Sequence, residues 1–214
     1  MTSVDLLMFD LDGTLIDSRS DLANSVNRTF KDLGLPEKPV EEIYVHVGNG
    51  VRRLITDAAG GFSPELADRA LKIFEAHYLE HLLDETRFYA GIEEVLERFR
   101  GKRIGVVTNK PILYTRRILE GLGARERFDM VIGGDDAFPL KPDPGMILGM
   151  LRHLDVRPDR AVMIGDSVND IHAARAAGVM SCAVGYGLGV LEELKKAEPD
   201  FFSEKVEDLK HLFQ

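Results

Sequence analysis

The 214-residue chain carries 27 Lys and Arg against 36 Asp and Glu, a formal net charge of −9. An acidic surface of that kind repels nucleic-acid backbones and anionic membranes, although local basic groups still allow a small anionic ligand. With 44% hydrophobic and 29% charged residues the composition is that of a globular protein with a buried core, and no run reaches the roughly 18 apolar residues of a membrane span. The single cysteine, Cys182, excludes an internal disulfide and a thiolate metal cluster and suits a reducing cytoplasm. The residues before the first apolar run include Asp5 and no basic stretch, unlike a secretion signal. The expectation is a cytoplasmic protein, monomer or homodimer, acting on a small molecule and not on nucleic acid or membrane.

The first apolar run, Leu6-Leu7-Met8-Phe9, is continuous, as in a strand covered on both faces. It ends in Asp10, with Asp12, Gly13 and Thr14 close behind. Residues 17–88 then show only helical signals. The stretch SDLANSVNRTFKDLGLP puts Leu22, Val26, Phe30 and Leu33 on one stripe, GVRRLITDAAGG follows, and Ser63-Pro64-Glu65 opens a third helix. From residue 90 onward apolar runs alternate with helices. RIGVVTN, MVIGG, AVMIGD and SCAVGY read as strands. Pro111 is placed at the first position of a helix that stops at Gly121 or Gly123, and Pro144, after Asp143, starts another. VNDIHAARAAGV has Ile171, Ala174 and Gly178 at helical spacing. This rhythm predicts parallel strands with right-handed crossovers. The predicted fold is α/β: a Rossmann-like, doubly wound parallel sheet core (residues 1–16 and 90–214) with an all-helical cap (17–89) inserted after the first strand, the crossings near Asp17 and Tyr89-Ala90-Gly91 acting as hinges.

Open α/β sheets bind ligands at the carboxyl ends of their strands. There the sequence places Asp10 and Asp12, Thr108 and Asn109, and Asp166 with Asp170 one helical turn on; Lys141 lies in the loop PLKPDP. A single aspartate after a strand is commonly only a helix cap, but these groups fall in order on the right elements. Asp10, Asp166 and Asp170 concentrate negative charge that a hard dication held by oxygen ligands would relieve, with Mg²⁺ the usual choice beside phosphate. Thr108, Asn109, Lys141 and the amides after Asp10 are suited to hold a phosphate. No G-x-x-x-x-G-K-[ST] occurs, and GYGLG at 185–189 lacks the dinucleotide spacing, so it reads as a loop near the site. In the helical insert, HVGNGVRRL sets Gly48 and Gly50 around a helix start followed by Arg52 and Arg53, either of which could pair with a substrate carboxylate. His46 reads as packed or solvated, and Cys182, in VMSCAV, as a core thiol.

DLDGTLIDS, VVTNK, LKPDP and IGDSVND resemble the four motifs of the haloacid dehalogenase superfamily, in order and over nearly the whole chain. Within it the chain is most similar to phosphoglycolate phosphatases. The resemblance implies a Mg²⁺-dependent phosphoester hydrolase with Asp10 as nucleophile and Asp12 as general acid and base. It implies metal ligation by Asp10, the main-chain carbonyl of Asp12, and Asp166, with Asp170 supporting and Ser167 and Asn169 beside them. Thr108 and Lys141 would bind the transferring phosphoryl group. The superfamily's dehalogenases lack the second aspartate, which disfavours that chemistry here. The expected substrate is a small phosphorylated metabolite, 2-phosphoglycolate first. The same residues would also serve a β-phosphoglucomutase-like phosphomutase, or a phosphatase for sugar phosphates, nucleotides or pyrophosphate. A phospho-accepting signalling module uses similar groups but has no reason to carry a helical cap.

Overall fold

Strands that are apolar on both faces must be covered on both, and the computed structural model, which describes residues 2–135 and 137–214, meets that demand with a parallel sheet flanked by helices. The first strand, β1 (Leu6–Phe9), has no exposed residue. Two residue pairs mark the chain crossings, β2 (Ile16–Asp17) and β3 (Arg87–Phe88). The remaining strands are β4 (Arg103–Val107), β5 (Met130–Ile132), β6 (Ala161–Gly165), β7 (Met180–Val184) and β8 (Phe201–Ser203). The large sheet has the order β5-β4-β1-β6-β7-β8, with every neighbour parallel. The strand order turns back at β1, the switch point where such sheets open a binding crevice. Register fixes what meets there. Phe9 lies beside Val106 on one side and Ile164 on the other. One residue further on, Asp10, Val107 and Gly165 therefore come level at the carboxyl edge.

The chain forms two compact units, Met1–Asp17 with Phe88–Gln214, and Ser18–Arg87. In the sheet unit the helices are α5 (Ile92–Arg98), α6 (Ile112–Gly121), α7 (Gly145–Leu154), α8 (Val168–Ala177), α9 (Leu191–Lys196) and α10 (Leu209–Leu212). Met146, Ile147 and Met150 of α7 and Ala173, Ala174 and Ala177 of α8 bury against Leu6, Met8 and Met163 of the sheet. Gly105 explains the one gap in the apolar run of β4: a Cβ there would sit 2.2 Å from the Met150 sulfur. The five predicted strands are all present. The sixth, β8, was not foreseen; its three residues at the sheet edge leave too short an apolar signal to read. Pro111 and Pro144 sit one residue earlier than expected, as the residues preceding α6 and α7. The amide of Gly145 is instead held by the Asp143 carboxylate at 2.8 Å. Cys182 is buried in β7.

The Ser18–Arg87 unit is built from α1 (Arg19–Asp32), α2 (Val40–Tyr44), α3 (Val51–Ala58) and α4 (Pro64–His81). Leu22, Val26 and Phe30 of the α1 stripe are buried, as are Phe74 and Tyr78 of α4, whose rings stack with centroids 5.2 Å apart. The Ser63 hydroxyl caps α4 by accepting the Leu66 amide at 3.3 Å. Among the described residues no helix is long and apolar enough to cross a membrane.

Asp21, in the first turn of α1, is 1% exposed. Its carboxylate accepts the amides of Glu85 (3.0 Å) and Thr86 (2.8 Å) and the Thr86 hydroxyl (2.7 Å). The first and last segments of the unit are thereby tied through one buried carboxylate. Asp21→Ala strands those donors away from water and is expected to cost about 2–3 kcal/mol. A denaturant midpoint that barely moves would show the tie to be idle.

Candidate active site

The carboxyl edge of the sheet gathers Asp10 after β1, Thr108, Asn109 and Lys110 after β4, and Asp166 after β6. Lys141 comes from the loop before α7 and Asp170 from the first turn of α8. All seven are buried, and Asp12, two residues past Asp10, keeps 11% of its side chain exposed. Ligand oxygens of Asp10, Asp166 and Asp170 lie within 4.8 Å of one another.

Each acid has a distinct set of partners. Asp170 accepts the Ser167 amide (3.0 Å) and hydroxyl (2.8 Å) on one oxygen and the Lys141 ammonium (2.5 Å) on the other. Lys141 also donates to the Val107 carbonyl (2.7 Å) and stands 2.9 Å from Asp10 Oδ1. That last approach is a charge contact out of hydrogen-bonding alignment, so Asp10 Oδ1 is buried without a hydrogen bond. Asp166 Oδ2 accepts the amides of Leu188 (2.7 Å) and Gly189 (3.2 Å), and Oδ1 faces the Thr14 hydroxyl (3.4 Å). The GYGLG stretch is thus the loop that seats Asp166. Its glycines are required by contact: a Cβ at Gly187 would lie 2.3 Å from the Gly13 carbonyl, and one at Gly189 would lie 1.7 Å from the Asp166 carbonyl. Gly13 itself has φ +80° and faces the Asp166 carboxylate at a distance that admits no side chain.

The electrostatics follow from burial. Removal from water, with Asp170 and Asp12 nearby, outweighs the pull of Lys141 and raises Asp10 to about 6. Burial next to Asp10 and Asp170 raises Asp166 to about 8 against the opposing Leu188 amide and Lys141. Burial works against the Lys141 ammonium, but Asp10 and Asp170 more than offset it and hold its pKa above the ordinary lysine value. Four carboxylates, those of Asp10, Asp12, Asp166 and Asp170, face two ammonium groups, those of Lys110 and Lys141. With all four ionised, the excess negative charge would be that which one divalent cation balances. With three buried carboxylates converging and Asp10 Oδ1 lacking a hydrogen bond, the site fits such a cation.

The structure adds to the sequence reading at two residues. Asn109, grouped there with the phosphate-binding residues, uses its amide on the backbone of Lys141: Nδ2 donates to the Lys141 carbonyl (3.0 Å) and Oδ1 accepts its amide (2.7 Å). It positions Lys141. Lys110 received no role, yet its ammonium holds both oxygens of Asp12, at 2.9 and 3.1 Å. The only sequence signal was its place in the same TNK triplet, where a lysine is easily taken for a solvated one. Thr108 accepts the Lys110 amide on its hydroxyl oxygen (3.2 Å), which leaves the hydroxyl proton to donate elsewhere.

Arg52 and Arg53 lie in the Ser18–Arg87 unit, at the start of α3. Arg52 forms an ion pair with Asp68 of α4. Arg53 is exposed and has no partner among the described residues. His46, just before α3, is half-buried.

Comparison with known proteins names the group to which this doubly wound α/β core with its acid-rich carboxyl edge belongs, a group of enzymes. A family model for haloacid dehalogenase-like hydrolases matches residues 7–184. The chain belongs to that family. A phosphoglycolate phosphatase of Colwellia psychrerythraea is 39% identical over 96% of this chain and 97% of its own. One from Chromobacterium violaceum is 42% identical over 84% of each. Among solved structures, that of a predicted phosphoglycolate phosphatase from Haemophilus somnus superposes with TM-score 0.91 at 30% identity, covering 99% of both chains. That of a predicted phosphatase from Clostridium acetobutylicum gives 0.88 at 27% identity, covering 98% of both.

The raised carboxyl groups make a stability prediction. A carboxyl whose folded pKa exceeds its unfolded value of 3.8 favours folding when protonated, and that contribution is lost as pH rises through the folded value. In chelator, melting temperature is therefore expected to fall across pH 4 to 8, through about 6 for Asp10 and about 8 for Asp166. Asp166→Asn should flatten the upper part of that fall, and a divalent cation should raise the wild-type melting temperature more at pH 8 than at pH 5. A cation effect independent of pH would refute the assignment.

Proposed function

We propose that the chain is a Mg²⁺-dependent phosphoric monoester hydrolase that works through an aspartyl phosphate on a small carboxylated phosphoester, with 2-phosphoglycolate the expected substrate. The observation that carries this reading is the division of labour between two acids two residues apart. Asp10 sits among the converging carboxylates with Lys141 against it. Asp12 is drawn instead to Lys110. Two carboxyl groups held by different partners can take different tasks in one reaction. The names of the relatives, phosphoglycolate phosphatases, support both the substrate and hydrolysis over a phosphomutase.

In this mechanism a carboxylate oxygen of Asp10 attacks phosphorus, and the ester P–O bond breaks in line with it. Asp12 gives its proton to the departing oxygen. Asp12 then takes a proton from the water that attacks the aspartyl phosphate, releasing phosphate and restoring Asp10. Thr108 donates its hydroxyl proton to a phosphoryl oxygen. Lys141, locked by Asn109, keeps Asp10 ionised and carries positive charge to the same group. Mg²⁺, held by Asp10, the main-chain carbonyl of Asp12, and Asp166 with Asp170 supporting, would supply the charge neutralisation that lets a carboxylate approach a phosphate dianion.

Selection among phosphoesters is assigned to the helical unit, and Arg53 is its candidate for a substrate carboxylate because Arg52 is engaged by Asp68.

Phosphate release with Mg²⁺ from 2-phosphoglycolate, β-glucose 1-phosphate, pyrophosphate, a nucleoside monophosphate and p-nitrophenyl phosphate tests the whole reading. The expected result is a marked kcat/KM preference for 2-phosphoglycolate, abolished at least about 1,000-fold by Asp10→Asn. Near wild-type turnover in Asp10→Asn would remove the nucleophile assignment, and a flat profile across the panel would remove the substrate. Arg53→Ala should raise KM for 2-phosphoglycolate about tenfold, the worth of one charge-assisted hydrogen bond, with a smaller effect for Arg52→Ala.

A further inference from the structure

Lys110 has no part in the mechanism above, yet its surroundings are those of a working group. Its side chain is 3% exposed. A buried ammonium is costly, and a buried ion pair is on average no more stabilising than apolar side chains of the same size. Stability alone therefore gives little reason for a lysine at this position. Its backbone is fixed on both sides: the amide donates to the Thr108 hydroxyl at 3.2 Å, and the carbonyl accepts the Gly134 amide at 2.9 Å. From that base Nζ meets both oxygens of Asp12 at nearly equal distance. Rotation of the carboxyl group in either direction lengthens one of the two contacts, so the ammonium sets the direction in which Asp12 points. Asp12 is not one of the three carboxylates whose oxygens converge within 4.8 Å, those of Asp10, Asp166 and Asp170.

We propose that Lys110 is the positioning residue for proton delivery: it fixes the Asp12 carboxyl group for transfer to the leaving oxygen and stands beside the charge that the transfer creates. The proposal rests on Asp12 being the general acid. As the ester P–O bond breaks, its electron pair passes to the leaving oxygen. That oxygen takes the Asp12 proton, and the resulting Asp12 carboxylate stays paired with an unchanged Lys110 ammonium.

The test compares two leaving groups. An alkoxide such as that of 2-phosphoglycolate needs a proton to depart, whereas p-nitrophenolate does not. The parameter kcat/KM reports only the steps up to departure, so water attack on the intermediate does not obscure it. Lys110→Met is expected to lower kcat/KM for 2-phosphoglycolate, or for the best alkyl phosphate of the panel, about 30-fold or more. The loss on p-nitrophenyl phosphate should be at least ten times smaller, and Lys110→Arg should recover most of the alkyl activity. Added to Asp12→Asn, Lys110→Met should cost less than about threefold further, because the ion pair through which Lys110 acts on proton delivery is already gone. Equal losses on both substrates, or a full loss repeated in the Asp12→Asn background, would overturn the proposal and place Lys110 on the phosphoryl group itself. If Asp12→Asn shows no leaving-group dependence, the general-acid reading fails and takes this proposal with it. A leaving-group dependence in Asp12→Asn that Lys110→Met lacks defeats this proposal alone. Melting curves accompany every variant, and Lys110→Gln replaces Lys110→Met if the latter does not fold.

Discussion

Four carboxylates brought together at one edge of a buried sheet, with two lysines to answer them, set the conditions that the rest of the site satisfies. Like charges in a poorly solvated place repel strongly unless something offsets them. The protein does not spread that repulsion evenly. Lys141 is shared between Asp10 and Asp170, Lys110 holds Asp12, and Asp166 is met chiefly by backbone amides and a hydroxyl. The result is a graded set of acids, three of which converge in a way that a divalent cation fits.

The supports of these groups are mostly main chain. Asn109 grips the backbone of Lys141 through both ends of its amide. Leu188 and Gly189 present amides to Asp166, and the Tyr186 hydroxyl donates to the Thr14 carbonyl at 3.0 Å, tying that loop to the one after β1. Such contacts hold a side chain to a few tenths of an ångström only when the loop carrying them cannot shift. Here the glycines at 13, 187 and 189 allow a close approach that leaves no room for a side chain.

Much of this was readable before any coordinates. Continuous apolar runs marked the five central strands because burial on both faces removes the usual alternation, and Asp10, Thr108 and Asp166 could be placed by counting to the ends of those runs. Spacing along the chain says which edge a residue occupies but not which neighbour it faces. Asn109 and Lys110 are adjacent polar residues at the same strand end, and sequence alone could not assign one to Lys141 and the other to Asp12. Strand β8 was missed for a different reason: an edge strand of three residues draws its identity from the neighbour it pairs with. The GYGLG loop could be placed near the site, but its partner, 22 and 23 residues away in the chain, is a matter of folding and not of spacing.

The amide of Tyr89 donates to the carbonyl of Leu15 at 3.0 Å, so the sheet unit closes on itself where the chain leaves and returns. Asp21 does the same for the helical unit by holding Glu85 and Thr86. A segment whose two ends are stitched together on both sides of its junction behaves as a cassette. The entropy of closing the intervening loop is already met by these local bonds and grows only slowly with length. Such a junction tolerates exchange of the inserted helices for others of different size, provided the newcomer brings its own adjacent ends. New specificities can then be grafted onto an unchanged hydrolytic edge.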